Sequence, residues 1–308
     1  MSEYVIQTEN LVKYFDGRCV LNGIDLKVPQ GGIYGLLGRN GAGKTTIIRI
    51  LLGLEPATRG KTMVLGESSW QLPVSVLGQI GYVAEGHNLI PNYNVRRIVE
   101  LYRGLSAQWN EQFFRRLIET FHLPMERKVS QLSRGMKAQL NLSLAMATEP
   151  KLLILDDPTL GLDTVSRRQF LELAIDVISQ NNRTILFCSH ILSDVERIAD
   201  RIGILRAGKL VVDCELEELK SRVRKLRVIF DGEPPKEFPI AEIIAEKRQG
   251  REVIISVANW NENKQKILDI FRPASCTQIP MPLEEIFIEC TASGAEEMAG
   301  YEKGELIC

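Results

Sequence analysis

The chain has 308 residues, with 38 basic side chains against 39 acidic ones and a formal net charge of −1. At about 150 residues per domain, this length accommodates roughly two domains and a sizeable core. Hydrophobic residues make up 44% and charged residues 25%, which excludes a disordered or fibrous chain. The balanced charge carries no basic footprint for nucleic acid or an anionic membrane surface.

A membrane span needs about 20 consecutive apolar residues. The most apolar stretches, 47–54 and 151–155, are short or carry charges. Residues 1–10 hold no basic run followed by an apolar one, so a secretory signal is not expected. Cys19, Cys188, Cys214, Cys276, Cys290 and Cys308 are scattered, with no C-x-x-C pair. That pattern predicts reduced thiols in a cytosolic protein, not a disulfide framework or a zinc site. Cys308 stands last, which does not make a prenylation box.

In chain order, residues 4–8 read as a strand and Asp16-Gly17 as a turn. Residues 20–28 place Val20, Ile24, Leu26 and Val28 as apolar positions before a turn at Pro29-Gln30-Gly31-Gly32. Residues 33–37 are a short apolar run that suits a buried strand. A glycine-rich loop and a helical pattern over 45–52 follow. Residues 92–146 read as helical, with Val95-Ile98-Val99-Tyr102 and Phe113-Leu117-Ile118-Phe121 at amphipathic spacing. Short strands are predicted over 151–155 and 184–188, with a helix over 165–179 between them and a hairpin around Ala207-Gly208. Buried strands separated by helices imply a parallel sheet with helices on its faces. Composition shifts near Leu216, and residues 220–308 read as a small α+β appendage, loosely ordered after Thr291.

Gly38-Arg39-Asn40-Gly41-Ala42-Gly43-Lys44-Thr45 fits G-x-x-x-x-G-K-[ST]. The glycines allow backbone turns that aim successive N–H groups at phosphate oxygens, and the following helix adds its N-terminal partial charge. Lys44 is expected to reach the β and γ phosphates and the Thr45 hydroxyl to ligate Mg²⁺. An apolar strand before and a helix after supply the required context. Leu152-Leu153-Ile154-Leu155-Asp156-Asp157 is a second apolar strand, ending in two acids. Ligands of open α/β sheets bind at the carboxyl ends of strands, so Asp156 is expected to hold Mg²⁺ through water and Asp157 to polarise the attacking water. Alone, this pair would read equally well as a solvated strand end.

With these motifs in order, the sequence resembles the ATP-binding subunits of ABC transporters over roughly residues 1–215. Leu132-Ser133-Arg134-Gly135-Met136 stands in the place of the LSGGQ signature, Leu160-Gly161-Leu162-Asp163 matches the D-loop, and His190 follows a strand as the switch histidine does. The segment Pro282-Leu283-Glu284-Glu285-Ile286-Phe287 looks like subunits serving export-type, ABC-2-like permeases. The resemblance implies a P-loop NTPase cassette: a mixed α/β core, an antiparallel β part and a helical subdomain at about 86–146. It implies ATP and Mg²⁺ as cofactors, a membrane permease and a second cassette as partners, and a place on the cytoplasmic face of the membrane. Phe15 falls where an aromatic stacks on adenine. Gly38, Asn40, Gly41, Gly43, Lys44, Thr45 and Thr46 form the phosphate-binding set. Ser133 and Gly135 are implied to donate to the γ-phosphate across a head-to-tail dimer seam, and Asp163 to organise that seam. Ser133 and Asp163 also read as ordinary helix caps. His190 is implied to contact the γ-phosphate, whereas His87 and His122 carry no such expectation.

Three positions depart from the family pattern. Asp157 stands where a catalytic Glu is usual; one methylene shorter, its carboxylate sits about 1 Å or more farther from water. Because general bases contribute about 10²–10⁴-fold, reduced but nonzero hydrolysis is expected. Glu85 replaces the Q-loop Gln, still able to accept a bond or ligate Mg²⁺ but adding negative charge. Arg134 and Met136 replace Gly and Gln, and Arg134 reads either as a charge near phosphate or as a solvated side chain. The basic run Arg222-Arg224-Lys225-Arg227 reads as a solvated face. The leading expectation is a transporter motor whose cassette dimer closes on ATP. The alternatives are a soluble ABC-type ATPase acting on ribosomes or nucleic acid, disfavoured by the neutral charge and single cassette, and a weakly hydrolysing nucleotide-gated regulator. No nucleic-acid partner is expected.

Overall fold

The computed structural model describes residues 3–87, 89–181 and 183–291. Strands β1 (Tyr4–Phe15), β2 (Arg18–Ile24) and β3 (Lys27–Pro29) come first, then β4 (Gly32–Gly38) and helix α1 (Lys44–Leu51). Next are β5 (Arg59–Val64), β6 (Glu67–Ser68), α2 (Val74–Leu77) and β7 (Ile80–Val83). Three helices, α3 (Val95–Leu105), α4 (Glu111–Thr120) and α5 (Arg134–Ala147), separate β7 from β8 (Leu152–Asp156). Then α6 (Thr164–Asn181), β9 (Thr184–Ser189), α7 (Leu192–Ile198), β10 (Arg201–Arg206) and β11 (Lys209–Glu215) complete the first part. The C-terminal segment contains α8 (Leu216–Arg222), β12 (Arg224–Ile229), β13 (Ile243–Gln249), β14 (Glu252–Val257), α9 (Glu262–Ile270), β15 (Ser275–Ile279) and α10 (Leu283–Thr291).

The central sheet runs β11-β10-β4-β9-β8-β7, parallel except for the β10–β11 hairpin. Its middle strands are buried on both faces, which explains their unbroken apolar runs. Successive side chains alternate between two cores. Leu153 and Leu155 join a helix-side cluster with Val95, Ile98, Phe114 and Leu140. Leu152 and Ile154 join Ile6, Leu21, Ile24, Ile47 and Ile48 on the other face. That second layer is closed by an antiparallel sheet, β2-β1-β5-β6, with β3 beside β1.

The first strand runs past the expected residue 8 to Phe15, kinked by register shifts and by Asn10 at φ 46°. The apolar stretch 20–28 divides at Asp25-Leu26. There the Thr8 hydroxyl accepts from Leu26 N at 2.8 Å and donates to Ile24 O at 2.7 Å, while Asp25 Oδ1 accepts from Asn10 N at 2.6 Å. These side-chain bonds replace ladder bonds and turn the chain.

The C-terminal segment forms a four-stranded antiparallel sheet, β13-β14-β12-β15, with its own core of Leu226, Val228, Val253, Ile255, Val257 and Leu268. Helix α10 instead packs back on α7, and its Leu283, Ile286, Phe287 and Cys290 share the helix-side core of the first part. The basic run at β12 is laced with glutamates. Lys225 pairs with Glu285 at 2.9 Å, Arg227 with Glu252 at 2.7 Å, and Arg222 with Glu218. Five thiols, Cys19, Cys188, Cys214, Cys276 and Cys290, are free among the described residues; Cys308 and the rest of the segment after Thr291 lie outside them.

Candidate active site

Sheet order brings the predicted residues together. The neighbours β4, β9, β8 and β7 end respectively in Gly38, the segment Ser189-His190, Asp156-Asp157, and the turn carrying Glu85. Parallel register pairs Leu37 with Ser189, Asp156 with Cys188, and Val83 with Leu155. Four carboxyl-terminal strand ends therefore stand level around a cavity of about 870 Å³. Its lining includes Phe15, Asn40, Gly41, Gly43, Lys44, Thr45, Thr46, Glu85, Asp157 and His190.

Gly43 caps α1 at φ 113°, and a Cβ there would lie 2.6 Å from Leu21 Cδ2, so only glycine fits. No side chain caps α1 and its first turn holds no acid, leaving N–H groups and a positive end for an anion. Lys44 is buried, its Nζ donating to Gly38 O at 2.7 Å across the loop.

Asp156 is 1% exposed, and its Oδ1 has no hydrogen-bond partner. Burial pushes its carboxyl up to about 6, opposed by the Thr45 hydroxyl and reinforced by the charges of Asp157 and Glu85. An orphaned buried carboxylate oxygen opposite a P-loop hydroxyl is a donor set that fits a hard divalent cation. Among the described residues no group of three or more His, Cys, Asp or Glu forms a self-sufficient metal site, so phosphate oxygens and water must complete such a cation's shell. Asp157, at φ 43° and buried, turns its Oδ1 to His190: the backbone N–H donates at 3.0 Å and Nδ1 lies 2.6 Å away. Glu85 is exposed at the cavity rim.

Phe15 sits at the end of the β1–β2 hairpin, whose two-residue turn has Asp16 at φ 47° and Gly17 at φ 80°. Both positive values suit the hairpin's right-handed twist. The turn of the β10–β11 hairpin, Ala207-Gly208, closes the cavity beside it; Asn22 N donates to Gly208 O at 2.8 Å.

Ser133, Gly135 and Asp163 do not line this cavity. Ser133 caps α5, accepting from Met136 N at 3.1 Å. Asp163 caps α6 through Val165 N, Ser166 N and the Ser166 hydroxyl at 2.7 Å, bonds that hold its carboxyl below the usual range. Gly135 lets α5 approach α6, since a Cβ would lie 2.8 Å from Ser166 Oγ. Arg134 folds over its own D-loop: a Cβ at Gly161 would meet its Nη1 at 3.2 Å.

Three contacts around the site were not anticipated from the sequence. Lys13 lies under Phe15, with Nζ 4.5 Å from the ring centroid; a Lys-x-Phe spacing on a strand was the available signal. Thr159 donates to Asp194 Oδ2 at 2.6 Å, tying the D-loop to the helix after His190. His87 is buried, and burial holds its pKa below 6.5, with the Pro158 carbonyl opposing. No local pattern signals the last two.

A family model described as "ABC transporter" matches residues 21–160. The ABC transporter ATP-binding protein YtrB of Bacillus subtilis is 31% identical over 284 residues, covering 92% of this chain and 97% of that protein. The chain belongs to the ABC transporter ATP-binding proteins. As an ABC cassette it is an ATP-binding subunit. The Nod factor export ATP-binding protein I of Burkholderia lata is 34% identical over 213 residues, 68% of this chain and 70% of that protein. A solved ATP-binding subunit of an ABC transporter superposes with a TM-score of 0.64 at 26% identity, over 70% of this chain and 92% of that one. Among the described residues, no helix of this ABC cassette is long and apolar enough to cross a membrane.

Proposed function

We propose that this chain is the ATP-hydrolysing motor of an exporter, acting on a separate membrane permease from the cytoplasmic face and closing on a second cassette when ATP binds. The carrying observation is the cavity where the phosphate loop, the Asp157–His190 pair and Glu85 meet, with Asp156 buried behind its wall at the end of β8. Export is supported by the likeness to a Nod factor export protein. The likeness to YtrB, which spans 92% of the chain, reaches into the C-terminal segment.

In this reading the purine stacks on Phe15, and the N–H groups of the loop and of α1 grip the phosphates. Lys44 releases the Gly38 carbonyl to meet β- and γ-phosphate oxygens. Thr45, Asp156 and Glu85 would hold Mg²⁺, which would supply positive charge to offset that of the phosphates. Asp157 accepts a proton from the attacking water while His190 orients it toward the γ-phosphate. Ser133 and Gly135, away from this chain's cavity, serve the nucleotide of the second cassette, and Asp163 holds the seam. Turnover is slow, because Asp157 is short and drawn to His190. Division into a cassette over 1–215 and an accessory unit over 220–308 belongs to the same proposal.

A pull-down of the tagged chain from detergent-solubilised membranes of its source tests the partner. Recovery of a multi-span membrane protein is expected. Recovery of ribosomes, nucleic acid or soluble proteins alone overturns the transporter assignment, and the number of cassette species recovered decides between homodimer and heterodimer.

A further inference from the structure

Beneath the aromatic platform of the cavity lies a buried cation outside the phosphate machinery. Lys13 is 6% exposed, whereas Phe15, two residues along the same strand, is 38% exposed. Lys13 Nζ pairs with Glu55 Oε2 at 3.2 Å, donates to Pro56 O at 2.8 Å, and stands over the Phe15 ring at 4.5 Å from its centroid. One face of the ring is thus covered by a fixed ammonium, and the ring borders the cavity.

We infer that Lys13 is a positioning residue for purine recognition, acting through Phe15 and resting on the reading of Phe15 as the base platform. Two physical effects carry it. The first is geometric. Phe15 ends a hairpin and is partly exposed, so its ring has few neighbours to hold its rotamer. A cation anchored by Glu55 and Pro56 on one face selects the rotamer that presents the other, and that ordering cost is then met before the nucleotide arrives. The second is electronic. A cation attracts the negative π face of a ring and draws density to its own side, so the outer face repels a stacked base less. The ligand class is a purine nucleoside triphosphate, and the contribution lies in the base, not in the phosphates.

The test compares binding of ATP and of inorganic tripolyphosphate to the full chain. Lys13→Met is expected to weaken ATP binding about three- to tenfold, the scale of a desolvated cation–π contact, and to leave tripolyphosphate binding unchanged. Lys13→Arg, which keeps the cation, is expected to restore ATP binding. In a Phe15→Leu background Lys13→Met is expected to have no further effect. Should Lys13→Met unfold by leaving Glu55 unpaired, Lys13→Met with Glu55→Gln replaces it, checked by Tm. Equal losses for ATP and tripolyphosphate, or no loss for ATP, overturn the role of Lys13. If Phe15→Leu binds ATP as wild type does, the platform reading falls and this inference with it. If Phe15→Leu weakens ATP but Lys13→Met does not, the inference alone falls.

Discussion

Asp157 Oδ1 takes the backbone N–H of His190 at 3.0 Å and faces its Nδ1 at 2.6 Å, so one carboxylate oxygen engages the histidine twice. Asp157 holds a positive φ of 43°, and both residues line the cavity. The two residues act as a unit, and their substitutions are expected to be non-additive. Asp157→Asn is expected to lower ATP turnover by about 10²–10⁴-fold, and adding His190→Ala to cost little more. Asp157→Glu, which reaches farther, is expected to be faster than wild type. Steady-state phosphate release measures all three, and equal rates in wild type, Asp157→Glu and Asp157→Asn would end the catalytic role of Asp157.

Gly135→Ala places a Cβ 2.8 Å from Ser166 Oγ and 3.2 Å from its Cβ. Overpacking of this kind costs about 1–3 kcal/mol. Urea unfolding is expected to show that loss. Adding Ser166→Ala is expected to recover part of it, since the closer of the two atoms is gone.

Thr159→Val keeps the shape of a fully buried side chain but strips Asp194 of its 2.6 Å partner. Arg167 at 3.9 Å is too distant to replace that bond. A loss of about 1–3 kcal/mol is expected in chemical unfolding. Because Asp194 lies in the helix following His190, turnover is expected to fall as well. Unchanged stability would show that the bond between D-loop and helix contributes nothing.

Glu289 on α10 is half-buried beside β12 and β14, with Ser256 at 3.0 Å, Lys225 at 3.7 Å, and Oε2 unpaired. Burial pushes its carboxyl above the ordinary 4.5, helped by Glu285 and opposed by Ser256 and Lys225. The folded pKa lies above the unfolded one, so the stabilisation is complete below 4.5 and is lost as pH rises through the folded value. Glu289→Gln never ionises, and Lys225 keeps Glu285 at 2.9 Å. Its Tm is expected to gain on wild type as pH rises from acid to neutral. A constant difference across that range would contradict this sign.

The loop from Gly38 to Thr45 was legible in sequence because its geometry is local. Consecutive residues bend one backbone segment between β4 and α1, with Gly41 at φ 82° and Gly43 at φ 113°, and that bending is written in glycine spacing. The buried strands β4, β8 and β9 were legible as apolar runs for a similarly local reason: both faces of each strand are covered. Boundaries were less so. β1 continues to Phe15 because long-range pairing with β2 and β5 compensates its bulges, and residues 20–28 break because the Thr8 side chain reaches across the sheet.

By itself the sequence determined the cassette, the phosphate loop and the acids at the end of β8, since each is a pattern of neighbouring residues. Tertiary structure alone decided which strand ends stand side by side. The order β4-β9-β8-β7 is non-sequential, and only that order sets His190 against Asp157. It also decided that Lys13 underlies Phe15, that the exposed Arg134 lies alongside Gly161, and that α10 returns to α7. Such contacts follow from the packing of side chains distant along the chain, and packing, unlike periodicity, has no local signature.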